Sequence, residues 1–338
     1  MAFGAKAKEM DQKKARSADS GDGEQKVFDS QWMPTGSGTR LFYVLPSLGA
    51  DGKVELTERK SPNGKPVKRN GAVLYGLEPA EETVFAFAWW PVMVNGEQKN
   101  RRLMFNPDKR YDNPLWEFID KKFPKAAGKD AKQPRERSAI KLAFAMNVLD
   151  TTPVMRNAKG QVFYPSESGE YTLLAFMNNG KVITDKEQLP DGYDDEENGQ
   201  PLNAIRILEG SYGKSGGKHL FQDLADMVGT IENTDGILLR LPEVQLRMRT
   251  TGKELDTKRT IRATANFKLP DESYFYLPRY NLAAWTAPWP DEAIERLIAG
   301  DEYSEIVEEY GLVLHLDLEY RLDSFHVHLT YQKLQQPQ

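Results

Sequence analysis

The stretch "ETVFAFAWWPVMVNGEQKNRRLMF", residues 82–105, decides how the chain is read. Asn95-Gly96 sits between two strand-like runs, and an Asn-Gly pair in that setting is the strongest short-range hairpin signal. The segment is expected to fold as two antiparallel strands. Side chains alternate between faces along a strand. Phe85, Phe87 and Trp89 therefore share one face, expected to be buried, whereas Trp90 is a surface candidate.

Outward from this hairpin, strand patterns recur. "GTRLFYVLPS" (38–47) reads as a strand ending at Pro46, and "GQVFYP" (160–165), "YTLLAFM" (171–177) and "AIRILEGS" (204–211) read likewise. "SAIKLAFAMNVLD" (138–150) reads as a core strand, although its alanines and length also admit a helix. "GILLRLPEVQLRMRTTGKELDTKRTIRATANF" (236–267) predicts a strand, a turn near Gly252 and a second strand. Three helices interrupt the pattern. "NPLWEFIDKKF" (113–123) is short, and it precedes the Pro/Gly/Lys loop "PKAAGKDAKQPRER" (124–137). "HLFQDLADMVGTIE" (219–232) puts Leu220, Phe221, Leu224, Met227 and Val228 at amphipathic spacing. "PDEAIERLIAG" (290–300) opens with proline and acids in its first turn. Residues 312–332 alternate apolar and polar as a strand or hairpin does. The expected class is mainly β with inserted helices (α+β), a β-barrel core with extensions. The expected division is a flexible basic arm over 1–30, a core over 31–285, and an acidic helix plus terminal strand or hairpin over 286–338.

Composition narrows the function. A length of 338 residues with 39% hydrophobic content suffices for one sizeable core or two small ones. No apolar run reaches the roughly 18 residues of a membrane-spanning helix, and the first twenty residues lack the apolar stretch of a signal peptide. With no cysteine there is no disulfide framework, thiolate nucleophile or cysteine zinc site, which fits a reducing cytoplasm. The net charge of −5 argues against a uniformly basic nucleic-acid binder. Its distribution points elsewhere: residues 99–141 carry 13 Lys or Arg against 6 Asp or Glu, a local +7 that leaves about −12 for the rest. "DKEQLPDGYDDEEN" (185–198) and "DEAIERLIAGDEYSEIVEE" (291–309) hold much of the acid. A basic segment inside an acidic protein predicts a localised polyanion site.

Enzymatic readings do not hold. "ILEGSYGKSGGKHLFQDL" (207–224) has the strand, turn and helix order of a phosphate loop, but Leu208 stands where the first glycine of a Walker sequence must be, and Gly216 and Gly217 follow the lysine where a helix should start. What remains is a turn whose Lys214 and Lys218 can meet a backbone phosphate. His326 and His328 would share one strand face, yet with His219 and His315 they find no carboxylate partners for a metal site. No Ser/His/Asp arrangement or paired carboxylates stand out. No cofactor and no catalytic residue are expected.

The basic and aromatic combination is more informative. Single-stranded nucleic acid is held by a cationic groove with rings on which bases stack. Residues 85–141 offer Phe85, Phe87, Trp89, Trp90, Phe105, Tyr111, Trp116 and Phe123 among cations, with Trp90 and Tyr111 the better surface candidates.

The order of these features resembles the single-stranded DNA-binding proteins of T-even phages, over roughly residues 38–276. "RLFYVLPS" resembles that family's early strand, and "VNGEQKNRRLMF" its Asn-Gly hairpin. "RYDNPLWEFI" resembles its segment preceding a short helix, and "RERSAIKLAFAMNVLD" its basic stretch leading into a strand. "ILEGSYGKSGGKHLFQDL" resembles its Gly-Lys turn and helix, and "NFKLPDESYF" its late aromatic-acidic segment. The resemblance implies an OB-fold core and cooperative coating of single-stranded DNA in replication and recombination, in the cytoplasm of an infected bacterial cell. It aligns Tyr111 with a stacking tyrosine, Phe267 with a groove phenylalanine, and Arg135, Arg137 and Lys141 with a phosphate-contacting stretch. "KKARS" (13–17), with Lys13, Lys14 and Arg16, matches an arm that joins neighbouring subunits. Two features depart from the family. "NPLW" stands where zinc-binding cysteines would be, so a zinc-free site is expected with Trp116 and its neighbours filling the space as a small apolar core, and the family's long acidic tail is replaced by an acidic helix and an alternating strand.

The expected DNA-binding set is therefore Trp90, Arg101, Arg102, Phe105, Tyr111, Lys121, Lys122, Arg135, Arg137, Lys141, Lys214, Lys218 and Phe267. Expected partners are single-stranded DNA, further copies of the chain through the arm, and phage replication proteins through the acidic C-terminal region, with no membrane. "DGYDDEEN" is a candidate acidic competitor for the groove. The alternative reading is a phage structural or assembly protein whose β-rich body and acidic helix serve protein contacts.

Overall fold

The computed structural model describes residues 33, 38–49, 52–61, 63–80, 82–128, 131–156, 162–165, 171–174, 182–183, 200–211, 220–234, 236–251, 258–265 and 279–312. In chain order the strands are β1 (Gly38–Val44), β2 (Leu56–Glu58), β3 (Lys68–Arg69), β4 (Ala72–Val73), β5 (Tyr75–Leu77), β6 (Thr83–Val94), β7 (Glu97–Phe105) and β8 (Lys141–Asp150). They continue with β9 (Pro153–Arg156), β10 (Val162–Pro165), β11 (Tyr171–Leu174), β12 (Val182–Ile183), β13 (Gln200–Pro201), β14 (Ala204–Ser211), β15 (Leu246–Thr251) and β16 (Lys258–Ala263). The helices are α1 (Pro114–Lys122), α2 (Leu220–Met227), α3 (Leu282–Trp285), α4 (Asp291–Ala299) and α5 (Tyr303–Glu309). The chain is thus mainly β with a few helices. None of the described helices is long and apolar enough to cross a membrane. The chain divides into two compact units, one built on Thr83–Ala143 and Leu282–Asp317, the other on Lys26–Glu82 and Phe144–Asn281.

The first unit is organised by the β6–β7 hairpin. Asn95 and Gly96 both take positive φ, 53° and 76°, as the primed turn that matches strand twist requires. Register runs from Val94↔Glu97 back to Ala86↔Phe105. Phe85, Phe87, Leu103, Met104 and Phe105 are buried. Trp285 of α3 meets Phe85 edge-on at 5.5 Å. Helix α1 begins as its sequence directs: Pro114 occupies the first turn and the Asn113 side chain accepts from the Trp116 amide. Its buried residues Leu115 and Ile119 lie on the helix that packs against α4. Helix α4 ends at Gly300, whose φ of 106° is the left-handed stop that glycine supplies.

The second unit carries an open antiparallel sheet in the order β16-β15-β1-β8, with β14 also paired to β8. Among the described residues it does not close into a barrel. The strand alternative for residues 138–150 holds, since β8 covers Lys141–Asp150. Phe42, Val44, Phe144, Met146, Val148, Leu208, Leu246, Met248 and Ile261 form one core with Leu220 and Leu224 of α2. Gly210 lies so close to the Phe144 ring that a Cβ there would collide with it. A further antiparallel sheet runs β12-β11-β10-β9-β13. Residues 236–240 are not the strand expected; they lead into a short turn of 3₁₀ helix at Leu241–Glu243. Pro242 has no amide to give a ladder. The Glu243 carboxylate instead accepts from the amides of Arg240 (2.9 Å) and Leu77 (3.1 Å) and pairs with Arg59.

Charge is buried beside this core. Asp150 Oδ2 accepts from Arg206 Nε at 2.9 Å and from the Tyr164 hydroxyl at 3.3 Å, and that hydroxyl accepts from Arg206 Nη2 at 2.8 Å. Arg40 lies over the Tyr164 ring at 4.7 Å and donates to the carbonyls of Thr39 (2.9 Å) and Pro165 (3.0 Å). Burial lowers the Arg40 guanidinium from its ordinary value, and the Asp150 carboxylate opposes that shift.

Candidate nucleic-acid interface

The first unit gathers rings and cations around the start of α1. Tyr111 is 51% exposed and meets the Trp116 ring edge-on at 4.7 Å. The Arg110 guanidinium lies 4.6 Å from the Tyr111 ring, and that of Arg137 lies 5.0 Å from the Trp116 ring. The order Arg110–Tyr111–Trp116–Arg137 places one cation at each end of a ring pair, an attractive arrangement because the ring faces are electron-rich. Asn113 fixes it. Besides capping the helix, its Nδ2 donates to the Lys109 and Arg110 carbonyls at 3.2 and 2.9 Å, tying the loop that bears Tyr111 to the helix that bears Trp116. Arg137 is held by Asp120 at 2.7 Å and by the Phe123 carbonyl at 2.9 Å.

The expected residues are placed unequally. Tyr111, Lys121, Lys122, Arg135 and Lys141 are exposed. Lys122 Nζ lies 5.1 Å from the Phe118 ring, and Phe118 meets Trp90 edge-on at 6.1 Å, so Trp90 is a half-buried support. Arg101 lies over Tyr303 at 5.6 Å. Arg137 is occupied as described, so it steadies the platform. Two residues do not reach solvent. Phe105 is 2% exposed and belongs to the core. Arg102 is 6% exposed, its guanidinium enclosed by Phe87 (4.1 Å), Phe85 (5.0 Å) and Trp285 (5.0 Å). Lys214, Lys218, Phe267, the arm residues Lys13, Lys14 and Arg16, and the four histidines lie outside the described residues.

Two sequence expectations about tryptophans change. Trp89, expected on the buried face, is 51% exposed. Its strand partner Arg102 turns back over Phe85 and Phe87 and leaves Trp89 at the solvent edge. Of the small apolar core expected around Trp116, its neighbour Leu115 is buried with Ile119, whereas Trp116 itself is half-buried and forms the base of the Tyr111 platform.

Sequence reasoning missed a second cationic surface in the other unit. In the sheet register Arg247 stands opposite Arg262, Arg249 opposite Thr260, and Thr251 opposite Lys258. Paired residues of an antiparallel ladder share a face, so Arg247, Arg249, Lys258 and Arg262 project together, and all four are exposed. The signal was present as arginine at alternate positions of "LRMRT", the period that puts both on one side of a strand. No family model matches the chain, and neither a curated protein nor a solved structure matches it.

Proposed function

We propose that the chain is a non-enzymatic single-stranded DNA-binding protein whose first unit stacks bases on the Tyr111 platform. One observation carries this reading: an exposed tyrosine edge-packed on Trp116, with Arg110 over the tyrosine and Arg137 over the tryptophan, within a segment of net charge +7. A half-exposed ring braced by a second ring suits stacking, because little side-chain freedom is left to lose when a base arrives. Such a contact contributes roughly 1–3 kcal/mol and tolerates any base. The exposed Lys121, Lys122, Arg135 and Lys141 supply charge for phosphates. The sequence resemblance supports an OB-type core, a phage origin and a role in replication and recombination. It also supports an arm, with Lys13, Lys14 and Arg16, that links neighbouring subunits on DNA.

Titration with oligo-dT tests the reading. Tryptophan fluorescence is expected to fall on binding and recover with salt, with a log-log slope of about −0.7 per phosphate neutralised. No binding at low salt, or symmetric oligomers indifferent to DNA, would overturn it in favour of an assembly protein. Deleting residues 1–20 is expected to reduce cooperativity while leaving affinity for a short oligonucleotide nearly intact; equal loss of both would remove the arm.

A further inference from the structure

We propose that the outer face of β1, β15 and β16 is a second binding site, one that takes the phosphodiester backbone of a nucleic acid without touching its bases. Arg247, Arg249 and Arg262, with Gly38, Thr39 and Thr260, line a cleft of about 300 Å³. The register puts Thr39, Arg249 and Thr260 in one row across the three strands, and Leu41, Arg247 and Arg262 in the next. Lys258 extends the face beside Thr251.

Three observations point to phosphate. The first is a charge arrangement that has no compensating acid among the described residues. Like charges directly opposite on a sheet are unfavourable, yet Arg247 and Arg262 are direct partners. The strands GTRLFYV, LRMRTT and KRTIRA contain no acidic residue, and among the described residues Arg247, Arg249, Lys258 and Arg262 form no ion pair. An anion between the guanidiniums removes the repulsion. The second is the type of cation. Three of the four are arginines, whose planar fork grips phosphate oxygens in pairs, and the Thr39 and Thr260 hydroxyls beside them are further donors. The third is what the face lacks. Its described outward residues, Thr39, Leu41, Arg247, Arg249, Thr251, Lys258, Thr260 and Arg262, include no aromatic ring on which a base could stack. Residues of one face repeat at about 6.7 Å along a strand, which offers a polymer a row of cations rather than a single anion pocket. The inner side of the same strands is closed by core residues Phe42, Leu246, Met248 and Ile261, so the arginines have only the outer side to serve.

This inference goes beyond the Tyr111 reading and does not depend on it. The test is fluorescence anisotropy of the full chain with a fluorescein-labelled twelve-residue abasic phosphodiester, which has the backbone and no bases. The wild-type chain is expected to bind it at low salt. Arg247→Gln with Arg262→Gln is expected to weaken that binding at least tenfold and to flatten the log-log salt slope by about 1.4, two charges at about 0.7 each. Arg247→Lys with Arg262→Lys is expected to keep the slope and lose less affinity. Tyr111→Ala is expected to leave abasic binding within twofold. Circular dichroism of each variant confirms folding. Failure of the wild type to bind the abasic strand would overturn the proposal. So would identical behaviour of the Gln and Lys variants, or competition by poly-glutamate of equal charge as effective as unlabelled abasic strand. The two readings fail separately. Loss of oligo-dT quenching with abasic binding intact would remove the platform, whereas abasic binding indifferent to the arginines would remove this face.

Discussion

The basic segment of residues 99–141 and the strand pair β15–β16 both concentrate positive charge, and they use it in opposite ways. In the first, much of the charge is already engaged. Arg102 is enclosed by rings, Arg137 is held by Asp120, Arg101 lies over Tyr303, and Arg110 lies over Tyr111. In the second, fewer cations stand on one face with no carboxylate among them. Local net charge therefore overstates what the first region offers a polyanion and understates the second. Strand periodicity separates the two cases because it tells which cations share a side.

The same contrast runs through the sheet of the second unit. On its inner side arginine is buried with a carboxylate, Arg206 on Asp150 at 2.9 Å; on its outer side arginine is exposed with no carboxylate partner among the described residues. Removing a partner is expected to matter most on the inner side. Asp150→Ala strands Arg206 and removes the carboxylate that offsets the burial of Arg40, and should cost about 3–5 kcal/mol, read by denaturant unfolding. A cost below about 1 kcal/mol would show that the buried cluster needs no carboxylate. Next in size, Tyr111→Ala should weaken oligo-dT binding by about 1–3 kcal/mol, read by fluorescence titration, with unfolding unchanged. An unchanged affinity would leave the first region as packing only. Asn113→Ala removes the helix cap and both ties to the Tyr111 loop, and should cost about 1 kcal/mol of stability; a drop in oligo-dT affinity alongside it would show that bracing, not ring exposure alone, makes the platform. Smallest of all, Arg262→Thr relieves the repulsion with Arg247 and should raise stability by about 0.2–1 kcal/mol in thermal unfolding without DNA. A loss of stability there would contradict the absence of compensation on the outer face.

Much of the fold was legible in the sequence because the deciding signals are local. Asn95-Gly96 fixed the hairpin, Asn113-Pro114 fixed the start of α1, and Gly300 fixed the end of α4. The misread at 236–240 arose where a distant carboxylate contact decided the outcome: Glu243 reaches the amide of Leu77. The binding surfaces were legible only in part. Tyr111 was found because it is a ring among cations and aligns with a stacking tyrosine in the family that the sequence resembles. Phe105 and Arg102 were assigned to the groove because a cation near rings reads the same whether the rings enclose it or face solvent. The Arg247–Arg262 pair could not be found locally, because it exists only through the register of two strands on either side of Gly252.

The turn at Asn95-Gly96 has one more consequence. The Glu302 carboxylate accepts from the Asn95 amide at 2.8 Å and from the Gly96 amide at 3.4 Å, and Met93 bridges Glu302 in parallel. Glu302 opens α5, so the far end of the hairpin is moored to a helix some two hundred residues later in the chain. Amides at a hairpin tip ordinarily exchange with water almost freely. Here their exchange is expected to report the opening of α5, so that a hairpin carrying an exposed tryptophan is braced at its tip by one end of an acidic helix.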